Sequence, residues 1–166
     1  MPFKLTDVTE WNDKVLCVPT ALCAITGVRP ADIAKVISLA AQRRGVTVPA
    51  DPYAPFNIND WLRAIKDLGG DWCEIEDYSN YPYTSRPMIS QYLRTQQSDD
   101  LFLVFGENRE ETMTHVFAMS GNELVDIYTE GKIVASNPET VPDAYNEFRV
   151  KRVFLVWDHR TPWKVY

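Results

Sequence analysis

The chain carries two histidines and three cysteines, and one residue of each kind sits where it could do chemistry. Cys17 stands at the front of Val15-Leu-Cys-Val-Pro-Thr-Ala-Leu-Cys-Ala-Ile-Thr-Gly27. Pro19 suits the first turn of a helix there, and Gly27 suits the position just past its end. A thiol on or beside that first turn meets unpaired N–H groups and the positive end of the helix dipole, which favour a thiolate over a thiol. Such a nucleophile needs a base, and the base needs an orienter. His115 opens Thr114-His-Val-Phe-Ala-Met-Ser120, which runs into Gly121-Asn122, a two-residue hairpin signal. If that turn is the whole loop, Ser120 faces Glu123 and Phe117 faces Asp126. His115, Phe117 and Asp126 then share one side, with Asp126 diagonal to His115 and within reach of its ring. A one-residue bulge would turn Asp126 to the other face.

The order Cys17, His115, Asp126, on a helix followed by a sheet, resembles the papain-like cysteine peptidase fold. Its relatives include double-glycine-leader peptidases, transglutaminases and NlpC/P60 amidases. The segment from Cys17 to Gly27, and His115-Val-Phe-Ala-Met-Ser-Gly-Asn-Glu-Leu-Val-Asp126, are also similar to small phage-encoded proteins of that fold. The likeness covers the first forty-five residues and roughly residues 101–128. It implies that Cys17 is the nucleophile, His115 the general base and acid, and Asp126 the orienter. Papain-like peptidases place a glutamine upstream of the cysteine to donate to the oxyanion; here the nearest upstream amide is Asn12. Val18 and Pro19 stand where that family has glycine and tryptophan.

The elements that must position these groups follow from periodicity. After the first helix, Pro30 opens a second, with Ile33, Val36, Ile37 and Ala40 at helical spacing and Arg43-Arg44-Gly45 closing it. A proline-rich loop leads to a third helix over about 59–68, which Asn59 can cap and Gly69-Gly70 ends. A short strand at 72–76 and a loop from Tyr78 to Pro87 precede a fourth helix over 87–97. From Leu101 the period changes to two. Strands are expected at 101–106, 114–120, 123–128 and 148–158, with a short one at 132–135. Helices first and an antiparallel sheet afterwards predict one α+β domain over 1–166, of papain-like architecture by the resemblance.

With 166 residues and 45% hydrophobic composition the chain can bury a core. A net charge of −6, with no basic run longer than Arg43-Arg44, argues against a nucleic-acid partner. No apolar run approaches membrane-spanning length, the N-terminus lacks the apolar core of a signal peptide, and three cysteines are too few for a disulfide scaffold. A cytoplasmic location is expected, in the host if the chain is phage-encoded. No metal-ligand spacing or phosphate loop occurs, so no cofactor is expected.

Cys23 reads as core and Cys73 as core or partly exposed. His159 reads as a surface residue beyond a strand end, with a substitute base as its functional alternative. Trp157 and Trp163 are expected to pack the last strand, and Val46 to Pro87 to shape a cleft. Asp126, inside Leu124-Val-Asp-Ile127, needs a partner if buried. If the hairpin register is otherwise, the chain reads as an acidic regulator or structural protein of an unrelated α+β fold; with that register, two readings stay open. Cys17 is the nucleophile of a hydrolase or acyltransferase acting on an amide or related carbonyl of a protein or peptide, or it is a buried thiol in an inactive protein that binds a host partner through its tyrosine–proline surface.

Overall fold

The computed structural model describes residues 2–95, 98–137 and 140–159. Its helices are α1 (Cys17–Thr26), α2 (Pro30–Arg43), α3 (Ile58–Asp67) and α4 (Ile89–Thr95). Its strands are β1 (Gly70–Asp77), β2 (Leu101–Asn108), β3 (Thr114–Ser120), β4 (Glu123–Val125), β5 (Val134–Ala135) and β6 (Phe148–Asp158). They form one antiparallel sheet in the order β1-β6-β2-β3-β4-β5. The chain is therefore α+β, with most of its helices preceding most of its strands.

Because side chains alternate across a strand, each face of the sheet carries its own core. On one face Leu103, Val116, Ala118, Val125 and Phe154 meet α1, α2 and α3. On the other, Phe102, Val104, Phe117, Met119 and Val150 meet α4 and the ring of Tyr145. The inner helix α1 has buried residues all the way from Pro19 to Thr26, as its alanines and small side chains require of a helix packed on several sides. Gly27 ends it with φ +74°, and its N–H closes on the Cys23 carbonyl. Pro19 falls on the third residue of the helix, where its absent N–H costs nothing.

Two local readings differ from the sequence expectation for identifiable reasons. The cap of α3 is Asn57, whose side chain accepts from the Asn59 N–H at 2.8 Å, so the helix begins earlier than Asn59. The strand expected over 123–128 stops at Val125, because Asp126 caps the 3-10 turn Ile127–Thr129 in a reciprocal box with Thr129. Of the other expectations, the last residues of the fourth helix (Gln96, Gln97) and Trp163 lie outside the described residues. Among the described residues no helix is long and apolar enough to cross a membrane.

The opening segment carries no periodicity, yet it is threaded into the fold. The Lys4 and Thr6 N–H groups donate to the carbonyls of Ile25 and Ala24, and Val8 donates to Gly131. The N-terminus is thereby tied both to α1 and to the turn that follows Asp126.

Candidate active site

Three segments distant in sequence converge at the front of α1. The hairpin of β3 and β4 has the register Ser120↔Glu123, Met119↔Leu124, Ala118↔Val125, so the Gly121-Asn122 turn is the whole loop. Continuing that register sets Asp126 opposite Phe117, diagonal to His115. His115 Nε2 lies 2.7 Å from Asp126 Oδ2 and donates to it. That bond leaves the other ring nitrogen, Nδ1, free of Asp126, and Cys17 lies close enough to the imidazole to raise it. The structure thus brings together Cys17, His115 and Asp126.

The surroundings hold the ring in place. His115 and Asp126 are almost wholly buried, at 3% and 1% exposure. Four aromatic rings surround the imidazole: Tyr128 at 4.9 Å between centroids, Phe148 at 5.5 Å, Tyr145 at 6.2 Å and Phe117 at 6.5 Å. Burial is the strongest single influence on His115 and by itself favours the neutral ring. Hydrogen bonds to Asp126 and Cys17, together with their negative charge, outweigh it and raise the imidazole to about 9. The charged ring is thus the resting form at neutral pH. Asp126 is satisfied on both oxygens: Oδ1 accepts the Ile127 N–H at 2.6 Å, and Oδ2 accepts the Tyr145 phenol as well as the imidazole.

Cys17 is partly exposed. Its own N–H and that of Val18 belong to the first helical turn and have no acceptor inside the helix. Asn12 is exposed and its amide is engaged elsewhere. Its carboxamide nitrogen donates to the Tyr53 hydroxyl at 3.1 Å, and its oxygen accepts the Lys14 N–H at 2.9 Å. Tyr53 lies on the proline-rich loop, which is latched beside Cys17 by the Leu16 N–H donating to the Pro52 carbonyl at 3.2 Å. That loop, within the stretch expected to shape a cleft, therefore reaches the residue before Cys17.

The other candidates lie apart from this cluster. Cys23 is buried in α1, and burial, reinforced by Asp32, pushes its thiol far above the ordinary range. Cys73 is exposed on β1. His159 is exposed just past β6, its N–H on the Gly69 carbonyl.

Sequence reasoning passed over two members of the cluster. Tyr128 is 43% exposed and stacks over His115, the only one of the four rings that also faces solvent. Tyr145 comes from the 3-10 turn Asp143–Glu147, a stretch with no period to read. Nothing local marks it; only the fold brings it to Asp126.

Comparison with known proteins finds no family model that matches the chain and no curated protein that matches it in sequence.

Proposed function

We propose that this chain is a cysteine hydrolase of papain-like architecture, acting on an amide or related carbonyl of a protein or peptide. The observation that carries this reading is the convergence of Cys17, His115 and Asp126, with the ring held on the carboxylate at 2.7 Å and Cys17 close enough to act on the imidazole. Cys17 sulfur attacks the carbonyl carbon, and the charge that develops on oxygen meets the first-turn N–H groups of Cys17 and Val18. The carbon–nitrogen bond breaks as His115 gives its proton to the departing amine. A thioester on Cys17 remains. Water attacks it, His115 takes the proton, and the acid leaves with the thiol restored. An amine in place of water gives acyl transfer by the same steps. Asp126 keeps one tautomer and steadies the charged ring throughout.

The test uses a peptidyl fluoromethyl ketone and iodoacetamide on a Cys73→Ser background and on the unaltered chain. Cys17→Ala abolishes labelling by the ketone while leaving the fold intact. In the unaltered chain iodoacetamide modifies Cys17 ahead of the more exposed Cys73 at pH 6, and His115→Gln removes that preference. Undiminished ketone labelling in Cys17→Ala, or Cys73 reacting first, overturns the assignment.

A second reading keeps the fold and omits the chemistry: an inactive protein that binds and modulates a partner, a host protein if the chain is phage-encoded. Two observations favour it. Tyr81 is 54% exposed, and a groove of about 570 Å³ opens between Tyr83, Met88 and the loop joining β2 to β3. Under this reading Cys17 shows no advantage over Cys73.

A further inference from the structure

Asp126 Oδ2 receives two donors, the imidazole of His115 and the hydroxyl of Tyr145. Tyr145 has no exposed surface, its ring is stacked on Phe117 at 4.9 Å, and its N–H closes the 3-10 turn on the Pro142 carbonyl at 3.0 Å. The ring is therefore fixed from three sides, and its one polar side-chain atom points into the carboxylate. Among the described residues, the titratable groups facing the imidazole are Cys17 from α1, Asp126 and Tyr128 from the segment after β4, and Tyr145 from the turn before β6. Burial raises the Tyr128 phenol, and the charges of Asp126, Cys17 and Glu147 raise it further.

We propose that Tyr145 is a positioning residue for the Cys17–His115 pair, its phenol drawing on the same carboxylate oxygen as the imidazole and so limiting how tightly Asp126 holds the proton on the ring. The proposal rests on the hydrolase reading for its meaning, since only a ring that must release its proton benefits from that limit.

Hydrogen bonds to one acceptor oxygen compete. Each donor takes up some of the oxygen's negative charge and leaves less for the other. Burial and the charge of Asp126 keep the Tyr145 phenol protonated far above neutral pH, so it is a donor under all working conditions. With the phenol in place, the imidazolium shares its counter-charge and gives up its proton more readily to a departing amine. An acid–base group works best when its pKa lies near the working pH, and a ring already raised to about 9 gains from any influence that lowers it.

The test follows the carbon-bound ring proton signals of His115 against pH, with exposed His159 as the internal reference. In Tyr145→Phe the His115 midpoint moves up by about half a unit to one unit, and His159 stays where it was. Substitution of Tyr145 by 3-fluorotyrosine, which keeps the ring and makes the phenol a stronger donor, moves the midpoint down. This second variant preserves the reading should loss of the hydroxyl unsettle the core. Packing alone predicts no such pair of opposite movements. If neither variant moves the His115 midpoint while Cys17 is still alkylated ahead of Cys73, the role of Tyr145 is overturned and the hydrolase reading stands. If Cys17 shows no preference in the unaltered chain, the hydrolase reading is what fails.

Discussion

Removing the charge on His115 should weaken the whole molecule, and by an amount the site itself sets. The imidazole rises from 6.5 in the free side chain to about 9 in the fold. At about 1.4 kcal/mol per pH unit, that difference corresponds to about 3 kcal/mol of stability. The sign follows from which form the fold prefers. A group whose folded pKa is raised contributes its full stabilisation below the unfolded value, here below pH 6.5, and loses it as pH climbs towards 9. Urea unfolding of the unaltered chain at pH 6.5 and at pH 9.5 should therefore differ, with the midpoint falling by roughly 1–3 M at the higher pH. Other groups titrate across the same range, so the quantity that matters is the difference between the unaltered chain and His115→Gln. That variant cannot charge, and its midpoint should lack this part of the decline. Asp126→Asn offers an independent check: with the carboxylate charge gone, burial is opposed by Cys17 alone and the His115 midpoint falls from about 9. A midpoint that holds or rises between pH 6.5 and 9.5 relative to His115→Gln would refute the charged ring and the linkage built on it.

Two further substitutions probe how the site is held. Arg86 is 4% exposed and pairs with the equally buried Glu107 at 2.8 Å, so Arg86→Leu leaves a buried carboxylate with only Lys151 and should cost about 3 kcal/mol by urea unfolding; a cost under about 1 kcal/mol would show the network to be dispensable. Gly131 has φ +71°, and an added Cβ would meet the Trp11 ring at 2.8 Å, so Gly131→Ala should destabilise the fold and change the fluorescence of Trp11, whose indole N–H donates to Thr20; an unchanged spectrum and midpoint would contradict this.

The β3–β4 hairpin was legible because its two determinants are local. Gly121-Asn122 fixes the turn, and alternation fixes the faces, so the diagonal from His115 to Asp126 follows from spacing. The helices were legible for similar reasons, through Pro30, Gly27 and the apolar stripe of α2. What misled was competition between neighbours able to do the same job, as with Asn57 and Asn59 at the start of α3. Asp126 shows a different limit. Its side chain serves the backbone of the next turn as well as the imidazole, and pattern alone cannot show that a strand ends for that reason. Contacts between distant segments were not legible at all. Tyr145 sits in an aperiodic stretch, and the opening segment carries no periodicity although its backbone is bonded to α1. The placement of β6 between β1 and β2 likewise has no signature in the strand it concerns.

That placement governs how the molecule comes into being. As the chain emerges during synthesis, β1 and β2 have no mutual pairing to rely on, because the strand that joins them is Phe148–Asp158. The thiol-bearing helix is made early and waits, without a completed sheet beneath it, for more than a hundred residues to follow. Long-range pairing of this kind is slow and leaves apolar surface open meanwhile. Until Phe148–Asp158 is in place, β1 has no partner in the sheet and α1 lacks part of the apolar surface it packs on.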